Sequence, residues 1–148
     1  VMLLRFQWRL VVCQYEVSMN CYIGEYRKDG TVRAIYCHYD GYLATAGYTL
    51  WYFYKEREKV NQLLALGDLV ELGDVIEPSE TERHCVAYGR DRGRSNKEAR
   101  EFANLGEFMA TCASSGYLYL FDGAWRYCYG VDETEFKTLT RAAVEGIE

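Results

Sequence analysis

The sequence predicts an α+β protein, a mainly antiparallel sheet built from hairpins with three to four helices packed on one of its faces. Two observations carry most of that expectation. Strand-like runs rich in aromatic and β-branched residues come in pairs, each pair joined by an Asp-Gly step. Helix-like segments stand between the pairs, so the strands reach one another through hairpins rather than through repeated crossover units.

The first pair is Tyr22–Arg27 and Thr31–Tyr39, with Lys28-Asp29-Gly30 as the turn. Asp40-Gly41 ends the second strand. A helix is expected from a cap near Thr45 to about Tyr54, and a second over Arg57–Leu66. Val60, Leu63 and Leu64 form the apolar face of the second helix, and Gly67 is its C′ residue. Asp68–Ser79 reads as turns with a short extended piece. Arg83–Gly89 reads as a strand and Arg90–Arg94 as a loop. Ser95-Asn96-Lys97-Glu98 fits a capping box opening a helix to about Asn104. Tyr117–Phe121 and Ala124–Tyr129 make the second hairpin around Asp122-Gly123. Thr134–Val144 is the last expected helix, capped by Asp132 or Thr134.

A chain of 148 residues fits one domain over residues 1–148, and a single proline leaves no room for a Pro-rich linker. Val1–Ser18 alternates Met2, Leu4, Phe6, Trp8, Leu10 and Val12 against Arg5, Gln7 and Arg9. It reads as an edge strand, or as an upstream extension with Met19 as the alternative start. Its charges and the missing small-residue cleavage pattern argue against a signal peptide. A cytoplasmic, membrane-free protein is therefore expected, with free thiols at Cys13, Cys21, Cys37, Cys85, Cys112 and Cys128 rather than a disulfide framework. A net charge of −5 argues against general nucleic-acid binding, which needs surplus Lys and Arg. No CxxC pair and only two histidines argue against a metal site, and nothing points to a cofactor.

Tyr36-Cys37-His38-Tyr39-Asp40-Gly41-Tyr42, with Lys28-Asp29-Gly30-Thr31 before it and Leu64-Ala65-Leu66-Gly67-Asp68-Leu69 after it, resembles a family of small proteins encoded by phages and prophages of Gram-positive, often gut, bacteria. Ala87-Tyr88-Gly89-Arg90-Asp91-Arg92-Gly93 and Leu120-Phe121-Asp122-Gly123-Ala124-Trp125 carry the same resemblance, which spans about Met19 to Tyr129. The chain departs from the family pattern at Tyr39, where the family has Trp, and at Leu43, where it has Pro. The motif names no reaction and transfers no catalytic residues. What it implies is a phage-encoded protein that binds a host or defence component, for instance to inhibit it.

Three sets of residues are candidates for function. His38 and Asp40 share one side of an extended strand and could act as an acid/base pair; the plainer alternative is a local hydrogen bond and a turn. The stretch from Arg83 to Arg100 holds Arg83, Arg90, Arg92, Arg94, Lys97 and Arg100 on an acidic chain, and Arg90, Arg92, Arg94 and Lys97 stand beside Gly89, Gly93 and the expected helix start at Ser95. They could hold an anionic small molecule or an acidic partner, or be only a solvated loop. Tyr48, Trp51 and Tyr52 place aromatics around one helix, as an interface or as a buried helix would. Three classes follow in order: an interaction protein, a binder of a nucleotide-like anion, and an enzyme using His38 and Asp40. Homo-oligomerisation is left open.

Overall fold

The computed structural model describes residues 19–130 and 133–147. The expected strand in Val1–Ser18, the thiol of Cys13 and the capping role of Asp132 lie outside the described residues. Among those residues the chain forms one mixed, mostly antiparallel sheet of eight strands with five helices, the α+β class that the paired runs predict.

Strands β1 (Cys21–Tyr26) and β2 (Val32–Cys37) form the first hairpin, in register from Cys21↔Cys37 to Tyr26↔Val32. Its turn closes through Gly30 at φ 89°, a left-handed conformation that costs glycine nothing. Asp29 fixes the turn by accepting the Thr31 N–H at 3.0 Å and the Thr31 hydroxyl at 2.7 Å. The second hairpin, β6 (Tyr117–Phe121) and β7 (Trp125–Tyr129), turns at Asp122-Gly123. The two hairpins join side by side through β1 and β6, which run parallel. The flanks are β3 (Leu69–Glu71) and β4 (Val86–Ala87) on one side and β8 (Lys137–Thr138) on the other, giving the order β4-β3-β2-β1-β6-β7-β8. A further strand, β5 (Arg100–Phe102), also pairs with β2.

Strand alternation divides the core between the two faces of the sheet. Cys21, Ile23, Ile35, Cys37, Tyr119, Phe121 and Trp125 pack against α1 (Tyr48–Phe53), α2 (Arg57–Ala65) and α5 (Arg141–Glu145) through Leu50, Tyr54, Val60, Leu63, Leu64 and Val144. Tyr22, Val32, Ala34, Leu118, Leu120 and Cys128 pack against Phe102 and against α4 (Leu105–Cys112) through Phe108 and Cys112. Helices therefore cover both faces, not the single face expected. Each fully buried Leu or Phe contributes about 1.5–3 kcal/mol. The described cysteines, Cys21, Cys37, Cys85, Cys112 and Cys128, are free and buried. Burial pushes the Cys112 and Cys128 thiols up to about 11, which makes them poor nucleophiles.

Several local expectations are corrected. Ser95 opens no helix: residues 95–99 run irregularly, and Arg100–Phe102 becomes a strand antiparallel to Val32–Ala34. The capped helix starts further on, where Asn104 Oδ1 accepts the Glu107 N–H at 2.8 Å and Glu107 accepts the Ala103 N–H at 3.0 Å. Arg83–Gly89 is strand only at Val86–Ala87, and the expected Arg90–Arg94 loop begins inside α3 (Tyr88–Arg92), which Gly93 ends at φ 64°. The last helix is Arg141–Glu145, capped by Thr140 rather than Thr134, because Lys137–Thr138 extends the sheet beside β7. Thr45 lies inside a π-helical turn, Leu43–Gly47, that leads into α1, and its hydroxyl donates to the carbonyls of Asp40 and Tyr42 instead of capping. No described helix is long and apolar enough to cross a membrane.

Candidate functional site

The outer edge of β2 is shared by two partners. β5 covers Val32–Ala34 and β3 meets the strand at Cys37, so neither strand reaches the Tyr36 N–H. That group would be an orphan in the middle of a sheet. Asp68 supplies its acceptor: Oδ1 takes the Tyr36 N–H at 2.9 Å.

Asp68 is held there by its own backbone. It follows Gly67, which ends α2 at φ +77°. A Cβ on Gly67 would lie 2.3 Å from the Lys97 carbonyl oxygen, so only glycine lets residues 95–99 cross at this point. The Asp68 N–H donates to that same Lys97 carbonyl at 2.7 Å, and the Asp68 carbonyl accepts the Tyr88 N–H at 3.1 Å.

The carboxylate faces a cavity of about 340 Å³ lined by Tyr22, Tyr36, Asp68, Asn96, Lys97, Glu98 and Arg100. Asp68 itself is only 8% exposed. Burial raises its pKa, opposed by the Tyr36 N–H and by the positive charges of Arg100 and Lys97. The Arg100 guanidinium donates to the Tyr22 hydroxyl at 2.8 Å and lies 5.1 Å above that ring. The Tyr22 and Tyr36 rings meet edge to face at 5.5 Å. The Lys97 ammonium sits 5.3 Å over the Tyr88 ring. A larger cavity of about 400 Å³, between Lys59–Leu66 and Val75–Glu77, contains no buried charged side chain.

Of the residues singled out in the sequence, Lys97 alone lines the Asp68 cavity. Arg90 is turned inward: its guanidinium donates to the carbonyls of Ile76 and Cys85, each at 2.9 Å, and forks onto the Asp91 carboxylate. Arg92, Arg94 and Ser95 are exposed, and the helix expected to open at Ser95 does not form. His38 Nδ1 shares a hydrogen bond of 2.9 Å with the Tyr36 hydroxyl. β2 ends at Cys37 and Asp40 has φ 58°, so the alternation that would place His38 and Asp40 together stops before Asp40. Tyr48, Trp51 and Tyr52 are half-buried against the first core face. Tyr52 donates to the Glu145 carboxylate of α5, the Tyr48 and Tyr52 rings lie tilted at 35° with centroids 4.4 Å apart, and Lys55 lies 4.1 Å over Trp51. These aromatics seal α1 to α5. The exposed large rings are instead Tyr39 and Phe53.

The sequence pattern does not single out Asp68 or Tyr22 as site residues, and it marks Arg100 only as the last charge of the basic stretch. Asp68 stands 32 residues from the N–H it satisfies, and no local spacing signals such a bond. The one available hint is an acidic residue directly after a helix-ending glycine and before a strand. No group of His, Cys, Asp and Glu among the described residues could hold a metal ion. No protein-family model, curated protein or solved structure matches the chain.

Proposed function

We propose that this protein is a binding domain for a small anionic ligand, held in the cavity at Asp68, and that it sequesters that ligand rather than transforming it. The observation that carries the reading is the state of Asp68. A carboxylate has about four acceptor sites, and buried polar atoms are normally hydrogen-bonded. Here the protein supplies one hydrogen bond, from Tyr36. Asp68 lines the cavity together with Lys97 and Arg100, whose positive charges act on its carboxyl. Buried acceptors and two cations together suit a ligand that carries both N–H donors and a negative group. The resemblance to phage-encoded proteins fits this proposal, since a small protein that holds a nucleotide-like host signal disarms it without catalysis.

A second reading, binding of a host or defence protein, rests on Tyr39 and Phe53, each 42% exposed. Calorimetric titration of the whole chain with mononucleotides and inorganic phosphate at low salt separates the two. Saturable binding that drops roughly tenfold or more in Arg100→Ala supports the cavity, because a charge-assisted hydrogen bond is worth about 1.5–3 kcal/mol. No heat with any of these ligands, alongside capture of a protein partner that Tyr39→Ser or Phe53→Ser abolishes, supports the second.

A further inference from the structure

We infer that the donor-bearing end of the ligand is a guanine base, so that the cavity takes a guanine mononucleotide in preference to an adenine one; this rests on the ligand-binding reading above. An ionised Asp68 carboxylate is an acceptor only, and its Oδ1 is anchored by the Tyr36 N–H at 2.9 Å. A carboxylate is best matched by two parallel N–H donors. Guanine presents such an edge, through its N1–H and its exocyclic amine. Adenine offers a donor beside an acceptor on the corresponding edge, cytosine the same, and uracil one donor between two acceptors. Each of these would set a lone pair against the carboxylate.

The walls fit a flat ring. Tyr22 is only 8% exposed and its ring already carries the Arg100 guanidinium, so the half-buried Tyr36 ring, which meets Tyr22 edge to face at 5.5 Å, is the aromatic surface the lining offers a planar base. The charges fit the rest of the nucleotide. Lys97 and Arg100 line the same cavity and provide donors suited to phosphate oxygens. A free guanidinium compound also offers two parallel donors, but it would bring its own positive charge against both. The volume, about 340 Å³, lies near the lower end of ligand cavities and suits one nucleotide rather than two.

The experiment is calorimetric titration of the whole chain at low salt and pH 7.5 with GMP, IMP and AMP. IMP keeps the N1–H of guanine and lacks its exocyclic amine. The expected order is GMP tightest, IMP between, and AMP weakest, with GMP over AMP by roughly ten- to a hundredfold. Asp68→Asn can keep its bond to the Tyr36 N–H while offering a donor where the base needs an acceptor. It should bring GMP down to the level of AMP or below, because the amide that replaces the carboxylate sets a donor against a guanine N–H and pairs instead with adenine's donor-acceptor edge. Equal affinity of the wild-type protein for GMP and AMP, with both lost in Arg100→Ala, would overturn the guanine assignment and leave the anion-binding reading standing. No binding of the three nucleotides or of inorganic phosphate would overturn both. The wild-type comparison decides the matter even if Asp68→Asn fails to fold.

Discussion

The two ends of the basic stretch between Arg83 and Arg100 look alike in sequence and differ in the folded chain. At the first end, Arg83 donates to the Leu72 carbonyl at 2.6 Å, the Thr49 hydroxyl at 2.8 Å and Asp74 at 3.0 Å. Arg90 is engaged as fully with Ile76, Cys85 and Asp91. At the second end, Arg100 makes one hydrogen bond, to Tyr22, and Lys97 rests on the Tyr88 ring. The difference comes from what surrounds each end. Residues 72–85 are mostly irregular, so several of their carbonyls lack a ladder partner and the guanidinium forks replace it. Residues 97–100 lead into β5, whose pairing with β2 supplies backbone partners and leaves the side-chain donors available. A run of positive charge indicates binding capacity only after the acceptors that the fold itself provides have been subtracted.

The largest effect that comparison predicts is at Arg90. Arg90→Ala removes the donor from two carbonyls and the partner from Asp91, whose pKa is lowered chiefly by the bond from Arg90. A loss of about 2–4 kcal/mol in urea unfolding is expected. Arg90→Lys should recover only part of it, since one ammonium cannot fork to both carbonyls and the carboxylate. Arg100→Ala should cost less than about 1 kcal/mol, because its bond and ring contact are solvent-facing. Equal losses at Arg90 and Arg100 would mean that the two ends do not differ as described.

An intermediate effect, with a distinctive pH dependence, is expected at Asp68. Its folded pKa is raised by burial. The carboxyl therefore favours the folded state most when protonated, below its unfolded pKa, and that contribution is lost as pH rises through the folded value. Above that window the buried negative charge is a burden on the free protein. Asp68→Asn, which carries no charge, should melt at a higher temperature than wild type at pH 7–8, and the gap should close as pH falls below the ordinary Asp range. Stability gained by removing a residue that the ligand needs is the pattern expected of a binding site. A variant that melts lower than wild type at every pH would make Asp68 a structural residue first, there to hold the β2 edge.

Both hairpins were legible from the sequence because their signals are local: an Asp-Gly turn, flanking aromatics and alternation. The capping box expected at Ser95 fails for a physical reason. Ser95-x-x-Glu98 and Asn104-x-x-Glu107 fit the same rule, but only the second is followed by apolar residues at helical spacing, Leu105, Phe108, Met109 and Cys112. After Ser95 the first large apolar residue is Phe102, and a single one cannot anchor a helix to the sheet. The Asp68 cavity was not legible. It depends on two strands each covering part of β2, on a glycine that admits the Lys97 carbonyl, and on a side chain filling the gap between them, and none of these contacts is local in sequence. The loop at Arg90 looked like an anion site because the acceptors that occupy Arg90, at Ile76 and Cys85, are invisible until the chain is folded.

The smallest effects should come from Arg92 and Arg94. Both are exposed, and neither side chain makes a hydrogen bond or ion pair with another described residue. Replacing them together with Ala should change unfolding stability by less than about 0.5 kcal/mol. It should also leave the mononucleotide titration within about twofold at 150 mM salt, where charges more than about 8 Å from the ligand are largely screened. The two arginines thus serve as the internal control for the comparison: they belong to the same basic run, carry the same charge as Arg90 and Arg100, and have neither the internal acceptors of the first nor the cavity of the second. If the double variant loses more than about fivefold in affinity at that salt concentration, the ligand reaches the loop at Gly93, and the site extends out of the Asp68 cavity onto the surface that the sequence marks by charge alone.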